Sequence, residues 1–139
     1  MTNLFRQISV SSASEALETL LQFCRSFPGI QGDQDLLLTI ELIIEETVLN
    51  ILNHGYGETE GPIELSIEAN AVQTRLIIRD RSPKFDPHQV EQPEMHLMEG
   101  KRGLSMVTRL ALSTSWEYSE DRWNMLTIIL PAPGGSHAA

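Results

Sequence analysis

The sequence predicts an α+β fold: a two-layer sandwich whose mixed, mostly antiparallel sheet is covered by three helices. Three observations lead there. Apolar and polar residues alternate with a period of two over residues 63–68, with a similar period over 72–80, the pattern of half-buried strands. A nearly all-apolar helical run fills residues 35–57, DLLLTIELIIEETVLNILNHGYG. The order of elements, βααββ(loop)αββ, with an antiparallel sheet and three substantial helices, fits such a sandwich.

Taken in order, residues 4–10 alternate as an edge strand. Ser12 or Ser14 is expected to cap the first helix, with Glu15 and Glu18 in its opening turns favouring the dipole. That helix carries Ala16, Leu17, Leu20, Leu21 and Cys24 on one side and ends before Pro28-Gly29. Gly32-Asp33 leads into the long helix, where Asp33 or Asp35 supplies the N-terminal acid; Gly55 and Gly57 are expected to end it. Leu36, Leu37, Leu38, Ile40, Leu42, Ile43, Ile44, Val48, Leu49, Ile51 and Leu52 leave only a narrow polar stripe, so burial on most sides is expected. The stripe is Thr39, Glu46, Asn50 and Asn53/His54. An acid and an amide in register on a buried helix should face a cavity, ligand or metal. Two strands follow, joined by the turn Ala69-Asn70-Ala71, and Asp80 ends the second. Residues 86–99, with Pro87 and Pro93, read as a mobile loop; Gly100-Lys101-Arg102-Gly103-Leu104 opens a third helix with Leu104, Val107, Leu110 and Ala111 inward. A closing hairpin turns at Glu120-Asp121.

The 139 residues make one domain, residues 1–131, with a flexible tail over 132–139. Such a length can bury roughly two-thirds of the unfolded surface. A net charge of −9 argues against a nucleic-acid surface. No apolar run reaches membrane-spanning length, and no signal-peptide core opens the chain. The single cysteine cannot form an internal disulfide, so a reducing compartment, the cytoplasm, is expected. Cys24 reads as a buried small hydrophobe. Residues 75–109 hold seven of the ten basic side chains (Arg75, Arg79, Arg81, Lys84, Lys101, Arg102 and Arg109). That local basic patch can receive a phosphate-bearing small molecule, or it is a set of scattered solvated charges.

Three segments carry candidate chemistry. In Glu46-x-x-x-Asn50, an amide oxygen can ligate Mg2+ and a neighbouring carboxylate can serve as a general base. Asp80 at a strand end can accept a hydrogen bond from an adenine amino group, whereas guanine would present a second acceptor; by itself it could equally start a turn. The helix start at residues 100–104 offers free amides, close backbone approach at Gly100 and Gly103, and positive charge from Lys101 and Arg102. The histidines show no metal-ligand spacing.

Together, in this order, the three segments resemble the GHKL (Bergerat-fold, histidine-kinase-like ATPase) family, and within it the anti-sigma-factor serine/threonine kinases of partner-switching systems. EETVLNILNHGYG is similar to that group's N box, IIRDRSPKFDP to its G1 box and GKRGLSMV to its G2 box; DRWNMLTIIL resembles its last strand pair. The resemblance runs from the first strand to residue 130. It implies an ATP site in a GHKL-type sandwich. Asn50 would hold Mg2+, with Asn53 in the same box; Asp80 would receive the adenine amino group. Ser82 and Phe85 of the G1 box and Gly100, Lys101, Arg102, Gly103 and Leu104 of the G2 box would line the nucleotide under a short lid, residues 86–99. Thr127 matches a position near the phosphates, and Glu46 matches the catalytic acid. The implied partners are a STAS-domain anti-anti-sigma protein and a sigma factor, and homodimerisation is usual in the group. Two departures stand out: the G1 glycine is Ser82 here, and a small position is Lys84. They motivate an alternative from another class, a partner-binding regulatory module of the same fold that holds nucleotide weakly or not at all. A sensor histidine kinase is a third reading, disfavoured because His54, inside the N box, is not on a dimerisation helix.

Overall fold

In the computed structural model, residues 3–13, 15–84 and 109–134 are described. Strand β1 (Leu4–Ser11) leads into helices α1 (Ala16–Arg25) and α2 (Gln34–Asn50). Strands β2 (Pro62–Ala69), β3 (Gln73–Asp80), β4 (Ser113–Tyr118) and β5 (Asn124–Pro131) complete the sheet. All four pairings are antiparallel, in the order β1-β2-β3-β5-β4. The expected mixed sheet is therefore wholly antiparallel among the described residues. The helix count there is two rather than three, and the expected third helix falls almost entirely outside the described residues.

Alternation decides which side of the sheet is covered. Ile63, Leu65, Ile67 and Ala69 of β2, Leu76 and Ile78 of β3, and Leu126, Ile128 and Leu130 of β5 are buried on one face. The same core includes Leu20, Leu21 and Cys24 of α1 and Leu36, Ile40, Ile43, Ile44 and Val48 of α2. The two helices thus form one layer over a five-stranded second layer. The Arg25 guanidinium donates to Glu41 at 2.6 Å and fastens α1 to α2 at their rim. Fully buried, the Cys24 thiol has its pKa pushed up to about 12, chiefly by desolvation, so it is an inert packing group.

Several local expectations change. Asp33 does cap α2, accepting from the Leu36 amide at 3.1 Å. Ser12 does not cap α1: its hydroxyl accepts from the Gly61 amide at 3.0 Å, joining the end of β1 to the start of β2. Leu38 is 58% exposed rather than buried. It shares an exposed stripe with Gln34, Asp35 and Glu45, so α2 keeps a solvent side despite its apolar composition. The tail is anchored at its start: Pro131 belongs to β5, and the Gly134 amide donates to the second oxygen of Asp33 at 2.8 Å.

At its C-terminal end α2 widens into a π-helical turn over Ile51–Tyr56. The Gly57 amide donates to Leu52 O at 3.0 Å, five residues back. Gly57, at φ 59°, stops the turn in the left-handed region open to glycine. Gly55 lies within the turn, not at its end, and is required there for a different reason.

Candidate functional site

The end of β3 carries a buried polar cluster. Inward parity on β3 runs Thr74, Leu76, Ile78, Asp80, and on β5 Asn124, Leu126, Ile128, Leu130; Asp80 pairs in register with Asn124. Asp80 is 4% exposed, Ser82 1% and Asn124 3%. One carboxylate oxygen of Asp80, Oδ1, accepts from the Ser82 amide at 2.9 Å, the Ser82 hydroxyl at 2.5 Å and Asn124 Nδ2 at 3.1 Å. Asn124 Nδ2 also donates to Ser82 O at 3.0 Å, and to Ser82 Oγ and Pro83 O at 3.3 Å. Burial raises the Asp80 pKa from its ordinary value, and the bonds from Ser82 and Asn124 pull it back. Among the described residues the other oxygen, Oδ2, receives no hydrogen bond.

The π-helical turn packs against this cluster. A Cβ on Gly55 would lie 2.7 Å from Ser82 Oγ and 3.1 Å from Ser82 Cβ, so glycine is what lets the turn approach. The next residue, Tyr56, donates its hydroxyl to Pro62 O at 2.5 Å and accepts from the Arg81 amide at 2.8 Å. That single phenol ties the end of α2, the start of β2 and the loop after Asp80 together. The widened turn is the reason the N-box segment can reach the end of β3.

One turn earlier on α2, Asn50 is 8% exposed and its carboxamide has no hydrogen bond among the described residues. Thr47, three residues before it and so on a neighbouring part of the helix face, is also buried, and its hydroxyl lacks a partner. Buried polar groups are ordinarily satisfied. Here the Thr47 hydroxyl is not, while Asn50 and Asp80 Oδ2 take no hydrogen bond from the described residues, on segments joined through the Gly55–Ser82 contact. Glu46, one turn before Asn50, is half-buried.

Other expected site residues are placed differently. Asn53 and His54 are exposed, because the i→i+5 turn rotates them off the stripe that Glu46 and Asn50 share. Thr127 pairs with Ile77 on the opposite parity from Asp80 and Asn124, so it lies on the outer face of the sheet, away from the cluster. The inward polar residue of the closing strand is Asn124. Sequence reasoning missed it, although its parity with Leu126, Ile128 and Leu130 is legible. Phe85, Gly100, Lys101, Arg102, Gly103, Leu104 and the expected lid lie outside the described residues. Of the basic patch, Lys101 and Arg102 lie there too, and Arg75, Arg79 and Arg81 are engaged by neighbouring side chains. Arg75 pairs with Glu68, and Arg79 lies 3.5 Å from Glu64, both on the outer face. The Arg79 and Arg81 guanidiniums stack on Trp123 at 4.2 and 4.6 Å from the ring centroid.

A family model described as the histidine kinase-like ATPase domain matches residues 10–130, most of the chain. The chain belongs to that family. The match covers both layers and both segments of the polar cluster. No match was found among curated proteins. Membership implies nucleotide binding, and the residues fit the group: a buried acceptor at Asp80 suits an amino donor of the base, and the unpartnered Asn50 oxygen suits a hard cation. No helix among the described residues is long and apolar enough to cross a membrane.

Proposed function

We propose that this ATPase-fold domain is a cytoplasmic anti-sigma regulatory factor and an ATP-dependent protein serine/threonine kinase. Its substrate is a serine or threonine of a STAS-domain anti-anti-sigma protein, and its unphosphorylated-partner state decides whether a sigma factor is sequestered. The observation that supports the nucleotide part is the pair of polar side chains at the joined ends of α2 and β3, Asn50 and the Oδ2 side of Asp80, which take no hydrogen bond from the described residues. Asp80 holds the adenine amino group, and Asn50 supplies an oxygen to Mg2+. Bound Mg2+ supplies charge neutralisation at the phosphates. Glu46, on the same helix as Asn50 and one turn away, takes the proton from the partner's hydroxyl; that oxygen bonds the γ-phosphorus, and ADP leaves. Asn53, Phe85, Gly100, Lys101, Arg102, Gly103, Leu104 and Thr127 complete the expected nucleotide set, with Thr127 the member whose position on the outer face speaks against direct contact. Homodimerisation belongs to the same reading.

The test is transfer of labelled phosphate from ATP to a STAS-domain protein, with Glu46→Ala beside the wild type. The variant should keep nucleotide affinity and lose labelling; undiminished labelling would show that another group takes the proton. A second reading, a regulatory module that binds partners without transferring phosphate, is favoured by Ser82, whose side chain fills the space between Asp80 and Gly55. It predicts sigma-factor capture with neither labelling nor heat of ATP binding.

A further inference from the structure

We infer that Ser82 and Asn124 act together as a clamp on Asp80 that makes the site selective for adenine, so that the serine standing at a glycine position is a positioning residue rather than a defect. The inference rests on the ATP reading above and deepens it. Its starting point is the asymmetry of one carboxylate. Oδ1 accepts three hydrogen bonds, from the Ser82 amide, the Ser82 hydroxyl and Asn124 Nδ2. An oxygen with two lone pairs is then saturated. A ligand meets only Oδ2, and the carboxylate plane is fixed by donors arriving from both β5 and the loop after β3.

That fixed direction has a chemical consequence. The exocyclic amino group of adenine donates to Oδ2. The corresponding carbonyl of guanine brings a second acceptor, and a carboxylate held in one plane with Oδ1 occupied cannot turn both oxygens to the N1–H and N2–H donors of guanine instead. Without the Ser82 hydroxyl, Oδ1 loses the shortest of its three restraints and the carboxylate can turn, so discrimination falls. Ser82 is itself held from the other side. Gly55 leaves room for its side chain and no more, since a Cβ there would sit 2.7 Å from Oγ. The N-box turn and the adenine-reading acid are therefore coupled through one hydroxyl.

The experiment is calorimetry of the full chain with Mg-ATP and Mg-GTP. Hydrogen bonds to charged groups are worth about 1.5–3 kcal/mol, equivalent to roughly 10- to 150-fold in affinity. The wild type is expected to prefer ATP. Ser82→Ala should narrow the ATP-to-GTP ratio by about 10-fold or more, mainly by weakening ATP. Gly55→Ala retains the Ser82 hydroxyl but displaces it from Asp80, so it should narrow the ratio in the wild-type background and have little further effect in Ser82→Gly. This second variant keeps the inference exposed should Ser82→Ala fold poorly. A wild-type preference for ATP that survives both Ser82→Ala and Gly55→Ala unchanged overturns the clamp while leaving the ATP site standing. Absence of binding to either nucleotide by the wild type overturns the site reading, and the clamp with it.

Discussion

The two ends of β3 are built to opposite rules. At the Asn70 end the side chains of Asn70 and Thr74 are closed by the protein itself. Asn70 Oδ1 accepts from the amides of Val72 and Gln73 at 2.8 and 3.0 Å, and the buried Thr74 hydroxyl donates to Pro131 O at 2.9 Å. At the Asp80 end the protein supplies three donors to one carboxylate oxygen and none, among the described residues, to the other. Thr74 and Asp80 are both buried and both pair with β5, so neither exposure nor strand position explains the difference between them. A buried group left short of partners costs about 1–3 kcal/mol. An acceptor left open on an otherwise fixed carboxylate is what the proposed nucleotide site would use, and it is the reason that proposal rests on the Asp80 end.

Replacing Asp80 by Asn should break the contrast most severely. Oδ1 survives as an acceptor for Ser82 and Asn124, but the open position becomes a donor facing a donor. ATP affinity is expected to fall by about 100-fold or more, read by calorimetry. Stability should move the other way. Burial raises the folded-state pKa of Asp80 above its unfolded value. Its contribution is therefore fully present below the unfolded pKa and is lost as pH rises through the folded pKa. Asp80→Asn removes that loss, so thermal melts should show the variant gaining on the wild type at pH 7 and the gain shrinking on acidification.

At the closed end, Thr74→Val removes a hydroxyl with a purely internal partner. A loss of about 1 kcal/mol in denaturant unfolding is expected, with ATP affinity unchanged. A drop in affinity would blur the distinction between the two ends. The smallest effect concerns the β4–β5 hairpin that carries Asn124. Arg122 sits at φ 67°, a left-handed conformation that disfavours a side chain. Arg122→Gly should stabilise the protein by about 0.5 kcal/mol, visible as a slightly higher melting temperature. A lower one would mean that the arginine side chain contributes more than its backbone strain removes.

Much of this was legible in the sequence, for a physical reason. The strands are half-buried, so a period of two writes their limits into the chain. The described strand bounds differ from the expected ones by a residue or two. Asp80 was legible as the last inward residue of such a strand, and Asn50 as the polar break in an apolar helix. What escaped depends on contacts between distant segments. Nothing local to Gly55 announces its need for glycine, which arises from the side chain of Ser82, 27 positions away. Ser12 looked like a helix cap because caps are local; its actual partner, Gly61, is 49 residues on. Leu38 was assigned inward by composition, which cannot tell a wide apolar arc from a fully enclosed helix. Thr127 was assigned by motif position, but strand parity puts it on the other face.

The central claim is that α2 and β3 face each other across a nucleotide site, and Asn50 tests it most directly. Titration calorimetry of Mg-ATP into the wild type and Asn50→Ala, with melting curves on both, separates binding from folding. The account predicts saturable binding by the wild type, none by the variant, and closely similar melts. Equal affinity in the two proteins would contradict it.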